Sequence, residues 1–239
     1  MAQRFLDDVP RLIDIAAFGG LSTDLIHRRH FRTLEPRAAE SWIKRRGFSG
    51  ILQSAPLDAR RVYYHLTKKA LDWLKRVHRV NVSRASARPM RPMAKVLRIA
   101  AAEFCTLGDQ PALSLLRPFQ HPDRFPDLAS YVAKGHADPL RQKLFYQNQN
   151  VIGFLAVDRG QDHFVMRKVQ PKVLSLSRWE SLRSLMDQNQ FQLTVLCPSD
   201  SRRDELTEQI QASPPPFAWE VITLPQLLDL GPRRVGKLF

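Results

Sequence analysis

The sequence predicts an α+β chain of two domains, a winged helix-turn-helix head at 1–79 and an α/β domain at 95–239, joined by a basic linker at 80–94. Three observations carry that prediction. Residues 1–100 hold 21 Lys or Arg against 8 Asp or Glu, whereas residues 101–239 hold 16 against 15. Short helical patterns in the first part run directly into a pair of aromatic, β-branched segments. Beyond the linker, strand and helix patterns alternate, as they do when helices cover a central sheet.

The first helix is expected where Phe5, Val9, Leu12, Ile13, Ile15 and Ala16 recur at mostly helical spacing, closed by Gly19-Gly20. Ser22-Thr23-Asp24 supplies a cap for a short second helix through His27-Arg28-Arg29-His30. A third helix opens at Glu35-Pro36, where proline is tolerated, turns Ala38, Ala39, Trp42 and Ile43 inward, and stops at Gly47. Ile51-Leu52-Gln53, a turn at Pro56-Leu57-Asp58, and Arg61 to Leu66 read as a hairpin, the wing. Thr67 caps a fourth helix from Lys68 to about Val77, with Ala70, Leu71, Trp73 and Leu74 on its packing face.

Residues 80–94 mix Ser, Pro and Arg without apolar periodicity, the composition of a solvated linker. A helix follows from Lys95 to Leu107, and the prolines between Pro118 and Pro126 forbid a long regular element. Strands are expected at Val151–Val157, His163–Met166, Phe191–Cys197 and Glu220–Leu224, and helices at Leu174–Met186 and Ser201–Ala212.

A net charge of +14 is self-repulsive and points to a polyanionic partner for the basic part. Cys105 and Cys197 lie far apart without ligand spacing around them, so they read as buried thiols rather than a disulfide or zinc site. The opening residues lack signal-peptide character and eighteen apolar residues never run together, so a soluble, cytoplasmic protein associated with the nucleoid or a plasmid is expected.

A recognition helix presents cationic or amide side chains to the major groove. On the third helix Arg37 and Ser41 lie towards the start and are assigned to base edges. Lys44, Arg45 and Arg46, with Arg60 and Arg61 on the wing and Arg84 and Arg88 in the linker, are assigned to phosphates. His27 and His30 share a helix face without a ligand partner in sequence, and read as surface histidines. Trp42 and Trp73 fall on apolar stripes and read as core rather than base-stacking platforms.

The runs LIDIAAFGGLSTDLIHRRHF, AAESWIKRRGFSGIL and RVYYHLTKKALDWL, followed by GFLAVDRG, FQLTVLCPSDSRRDELTEQI and VITLPQLLDLG, resemble the replication-relaxation proteins of bacterial plasmids and other mobile elements. That resemblance implies a restriction-endonuclease-like fold for the C-terminal α/β domain. It also implies a DNA-binding role in plasmid replication control or transfer. Nucleases of that fold use a PD-(D/E)xK set, two carboxylates on a divalent metal and a lysine beside the attacking water. The nearest match runs from Asp138 to Ala156-Val157-Asp158, with Ala156 in the second carboxylate position and Asp158 in that of the lysine. A register through Met166-Arg167-Lys168 restores the lysine but puts Met166 where the carboxylate belongs. Asp158, Arg159 and Asp162 read equally well as strand-end turn residues.

The expected activity is therefore non-catalytic binding of double-stranded DNA by an accessory or regulatory protein of a mobile element, with no cofactor and no metal. A homodimer and a protein partner held by the second domain are further expectations. The alternatives are a metal-dependent nuclease or nicking component, and an interaction subunit of a transposition or defence complex.

Overall fold

The computed structural model describes residues 8–58, 60–79, 89–90, 92–107, 114–116, 118–140, 143–158 and 165–225. The chain is mixed α+β, with a three-stranded and a five-stranded sheet, and divides into two compact units, Met1–Asp109 and Gln110–Phe239. No helix among the described residues is long and apolar enough to cross a membrane.

In the first unit, α1 (Val9–Phe18) buries Leu12, Ile15, Ala16 and Phe18 and ends at Gly19, whose φ of 77° only glycine adopts cheaply. The short strand β1 (Leu21–Ser22) leads into α2 (Thr23–His30), where the Ser22 side chain accepts the Leu25 amide. The next helix, α3 (Pro36–Phe48), runs one residue past the predicted stop at Gly47 and buries Ala39, Trp42 and Ile43. The hairpin is β2 (Leu52–Pro56) against β3 (Val62–Leu66), and β1 pairs on the other side of β3, giving the order β1-β3-β2. That third strand is too short to leave a periodic trace in the sequence. Thr67 caps α4 (Lys68–His78) by accepting the Ala70 amide, and Ala70, Leu71 and Leu74 turn inward.

The helix α5 (Pro92–Phe104) overturns the expected division of the chain. It begins inside the span read as linker and belongs to the first unit, whose boundary falls at Asp109 rather than at residue 94. Packing and charge both hold it there. Val96, Ile99 and the alanines 100–102 are buried, and each large side chain so placed contributes roughly 1.5–3 kcal/mol. Lys95 Nζ donates to the carbonyls of Pro56 (2.7 Å) and Leu57 (3.1 Å) at the end of β2. At the other end Glu103, almost fully buried, receives Arg28 at 2.6 Å, and Arg29 donates to the Cys105 carbonyl at 3.1 Å. Met90, also within the predicted linker, donates its amide to the Tyr63 hydroxyl at 2.6 Å.

The second unit builds one sheet, β4 (Ser114–Leu116), β5 (Leu144–Asn148), β6 (Val151–Val157), β7 (Phe191–Cys197) and β8 (Ala218–Thr223), in that spatial order. The first three strands are antiparallel, and β6, β7 and β8 are parallel. Parallel neighbours require crossovers. Between β6 and β7 the chain makes a π-helical turn (Val165–Val169), α6 (Gln170–Leu174), a 3-10 turn (Ser175–Arg178) and α7 (Glu180–Asp187). Between β7 and β8 runs α8 (Asp200–Ala212), capped by Ser199. Ile152, Phe154, Ala156, Leu193 and Val195 share a core with Val173, Leu182 and Leu206 from these helices, and with Leu128 from a further helix at Pro126–Ala133.

Three expectations change in this unit. Val165 and Met166 lie in the π-helical turn rather than a strand, while His163 and Phe164 fall outside the described residues. The helix expected over Leu174–Met186 is broken at Trp179, which is extended (ψ 120°). The strand β5 and the helix at Pro126–Ala133 were not anticipated. On the sheet face opposite the shared core, the Tyr146 ring lies over Gly153, where an added Cβ would sit 1.9 Å from it. Tyr146 hydrogen-bonds Thr194 Oγ1, which donates to Glu220, each at 2.7 Å.

Candidate nucleic-acid interface

At roughly 100° per residue, Arg37, Ser41, Lys44 and Phe48 fall within about 60° of one another on α3. All four are exposed, with Glu40 and Arg45 exposed on the flanks. This stripe is about 16 Å long, some five base steps of a duplex. The structure thus brings Arg37, Ser41 and Lys44 onto one solvent-facing line, with Arg45 beside it, its Nε donating to the Ser41 carbonyl at 3.3 Å.

Arg46 is the exception. Its side chain is only 17% exposed and forms an ion pair with Asp8, which is 3% exposed. Asp8 also accepts Trp42 Nε1 at 2.6 Å and Arg11 at 3.0 Å. One carboxylate at the start of α1 therefore fixes the inner face of α3, and Arg46 serves as an anchor rather than as a phosphate contact. The spacing contained this signal: Ala39, Trp42, Ile43 and Arg46 follow the i, i+3, i+4, i+7 pattern of the buried stripe.

The hairpin loop is organised by Asp58. Its Oδ1 accepts the amides of Arg60 and Arg61, each at 2.8 Å, and its Oδ2 receives Arg61 Nε at 2.7 Å. The Arg60 amide, with further help from Arg61, holds this carboxyl below the ordinary carboxylate range. Arg60 and Arg61 are both exposed, and Arg61 divides its guanidinium between Asp58 and solvent. Between α3 and the hairpin runs an open groove lined by Glu40, Lys44, Gly47, Gln53, Ser54 and Tyr64. Arg84 and Arg88 lie outside the described residues.

The remaining candidates have structural employment. His30 is not a simple surface histidine: its Nε2 meets Asp14 Oδ2 at 2.8 Å, and Arg29 grips the same carboxylate at 2.6 and 2.8 Å. Burial pushes Asp14 upward, but its bonds to His30 and Arg29 outweigh that and leave it below its usual value. His27 Nε2 bonds the Leu34 carbonyl at 2.8 Å. Trp42 is buried; Trp73 is half-buried and stands edge-on to His78. Both cysteines are buried thiols, and burial pushes Cys105 up to about 12.

In the second unit Asp158 is fully buried at the end of β6, and Arg202 Nε donates to it at 2.6 Å. That bond raises the pKa of the Arg202 guanidinium. Asp138 accepts the Leu140 amide at 2.8 Å in a turn, and Met166-Arg167-Lys168 occupies the π-helical turn. Among the described residues no three His, Cys, Asp or Glu side chains converge as a metal site would require. Comparison with protein-family models, with curated proteins and with solved structures gave no match.

Proposed function

We propose that the first unit is a winged helix that binds double-stranded DNA, with α3 as the recognition helix and the β2–β3 hairpin as the wing. The observation that carries this reading is the exposed line of Arg37, Ser41 and Lys44 on a helix whose opposite face is anchored to Asp8, beside a loop bearing Arg60 and Arg61. A rigid cationic helix next to a basic hairpin suits a major groove and its flanking phosphates. Arg37 and Ser41 read base edges, while Lys44, Arg45, Arg60 and Arg61 hold phosphates.

The role is that of a non-catalytic DNA-binding accessory or regulatory protein of a mobile element, as the resemblance to replication-relaxation proteins implies. The second unit then corresponds to a restriction-endonuclease-like domain that has lost its metal ligands. The engagement of Asp158 by Arg202 favours this over a working nuclease, because a buried carboxylate committed to a partly buried guanidinium is poorly placed to hold a metal ion.

The test is the binding of a labelled random-sequence duplex by the whole protein across a salt series. Affinity should fall linearly in logarithmic salt, with a slope set by the number of phosphates neutralised. Absent or salt-independent binding would remove the proposal.

A further inference from the structure

Among the described residues, nothing accounts for the identity of two adjacent residues at the end of α3. Gly47 is helical, and a Cβ added there would meet nothing within 4 Å. Glycine in a helix is nevertheless less favourable than alanine. Nor does Gly47 end the helix, since the left-handed position beyond α3 is taken by Gly50 at a φ of 67°. Phe48 is 83% exposed, the most exposed large hydrophobic side chain among the described residues. It continues the line of Arg37, Ser41 and Lys44, and Gly47 borders the groove toward the hairpin.

An aromatic ring held in water at the end of a cationic stripe suits a partner that offers an apolar group amid negative charge. The major groove does so at the thymine 5-methyl. Building on the DNA-binding reading above, we propose that Phe48 packs against the 5-methyl of a thymine, and that the bare Gly47 lets the groove edge approach the helix. The end of α3 then selects a T·A pair at one position, which the polar residues nearer its start do not determine.

Duplexes selected from a random pool by the full-length protein supply the probe. The most enriched one is synthesised with thymine and again with uracil throughout, a change that removes only 5-methyl groups. The parent should bind the uracil duplex roughly fourfold more weakly, the worth of about one buried methyl. Phe48→Ala should bind both duplexes equally while keeping the parent's circular dichroism, because its ring is exposed. Gly47→Ala should melt higher yet bind more weakly. A parent indifferent to the exchange, or a Phe48→Ala protein that still discriminates, overturns the thymine contact and leaves DNA binding standing. Gly47→Ala binding as tightly as the parent removes Gly47 from the contact. A parent that binds neither duplex brings down both readings.

Discussion

Replacing Lys44 and Arg45 together with alanine tests the interface most directly, because both side chains are exposed and neither supports the core. Each phosphate contact releases bound counterions and contributes about 0.9 to the slope of log affinity against log salt, so two lost contacts should flatten that slope by about 1.8. The same relation sets the loss of affinity: roughly sixtyfold at about 0.1 M salt, roughly twentyfold at about 0.2 M, vanishing toward 1 M. Fluorescence anisotropy with one fixed duplex measures both quantities, and thermal melts establish that the variant is folded. Arg46→Ala is the internal contrast. It should lower stability through the loss of its pairing with Asp8 and leave the salt slope of the folded fraction unchanged. Parallel salt lines for the double variant and the parent would refute the assignment of these residues to phosphates, whatever happened to the absolute affinity.

Asp8→Ala strands the Trp42 indole and the Arg46 guanidinium inside the first unit, so urea melts should show a loss of about 3 kcal/mol; a loss within error would mean that the carboxylate does not hold α3. Asp14 has a lowered pKa, so its stabilising effect is present above the unfolded-state value of 3.8 and is lost as pH falls through the folded-state value. The stability gap between the parent and Asp14→Asn should therefore be fully open above about pH 5 and close progressively as pH falls through and below about 4, and a gap that ignores acid would count against the cluster. Asp158→Ala leaves Arg202 partly buried without its carboxylate, which should cost about 3 kcal/mol in the second unit with DNA affinity unchanged; hydrogen exchange over β6 and α8 reads the first and anisotropy the second. Asp58→Ala frees the hairpin loop, and is expected to weaken DNA binding severalfold without moving the melting temperature, whereas unaltered binding would take the loop out of the interface.

What could be read from the sequence was whatever is decided locally. Ser22 and Thr67 each cap their helices by accepting an amide three residues on, so both starts were visible. Val151–Val157 declared itself through a continuous apolar run. The structure hid its surprises where partners are distant. Lys95 reaches back 38 and 39 residues to β2, and Arg28 reaches forward 75 to Glu103, so the allegiance of α5 could not be found in any window of sequence. The proline and arginine of residues 89–92 outweighed the helix that begins there. For His30 the missing partner was Asp14, one helix earlier. Leu144–Asn148 escaped because LFYQN neither alternates nor runs apolar, and only its pairing with β4 and β6 makes it a strand. Arg46 is different, since its place on the buried stripe was available and the residue's charge obscured it.

The grip of α5 on the end of β2 sets the smallest portable piece of this protein. A fragment cut after the fourth helix would keep every residue assigned to DNA in the described hairpin and α3, but would lose the ammonium group that ties down two carbonyls at the loop end of the hairpin, as well as the Glu103 carboxylate and Cys105 carbonyl that receive Arg28 and Arg29. Transplanting the proposed DNA-binding head onto another protein therefore means carrying the chain through residue 107, and a fusion joint placed in the arginine-rich stretch before α5 would sever the brace from the part it steadies.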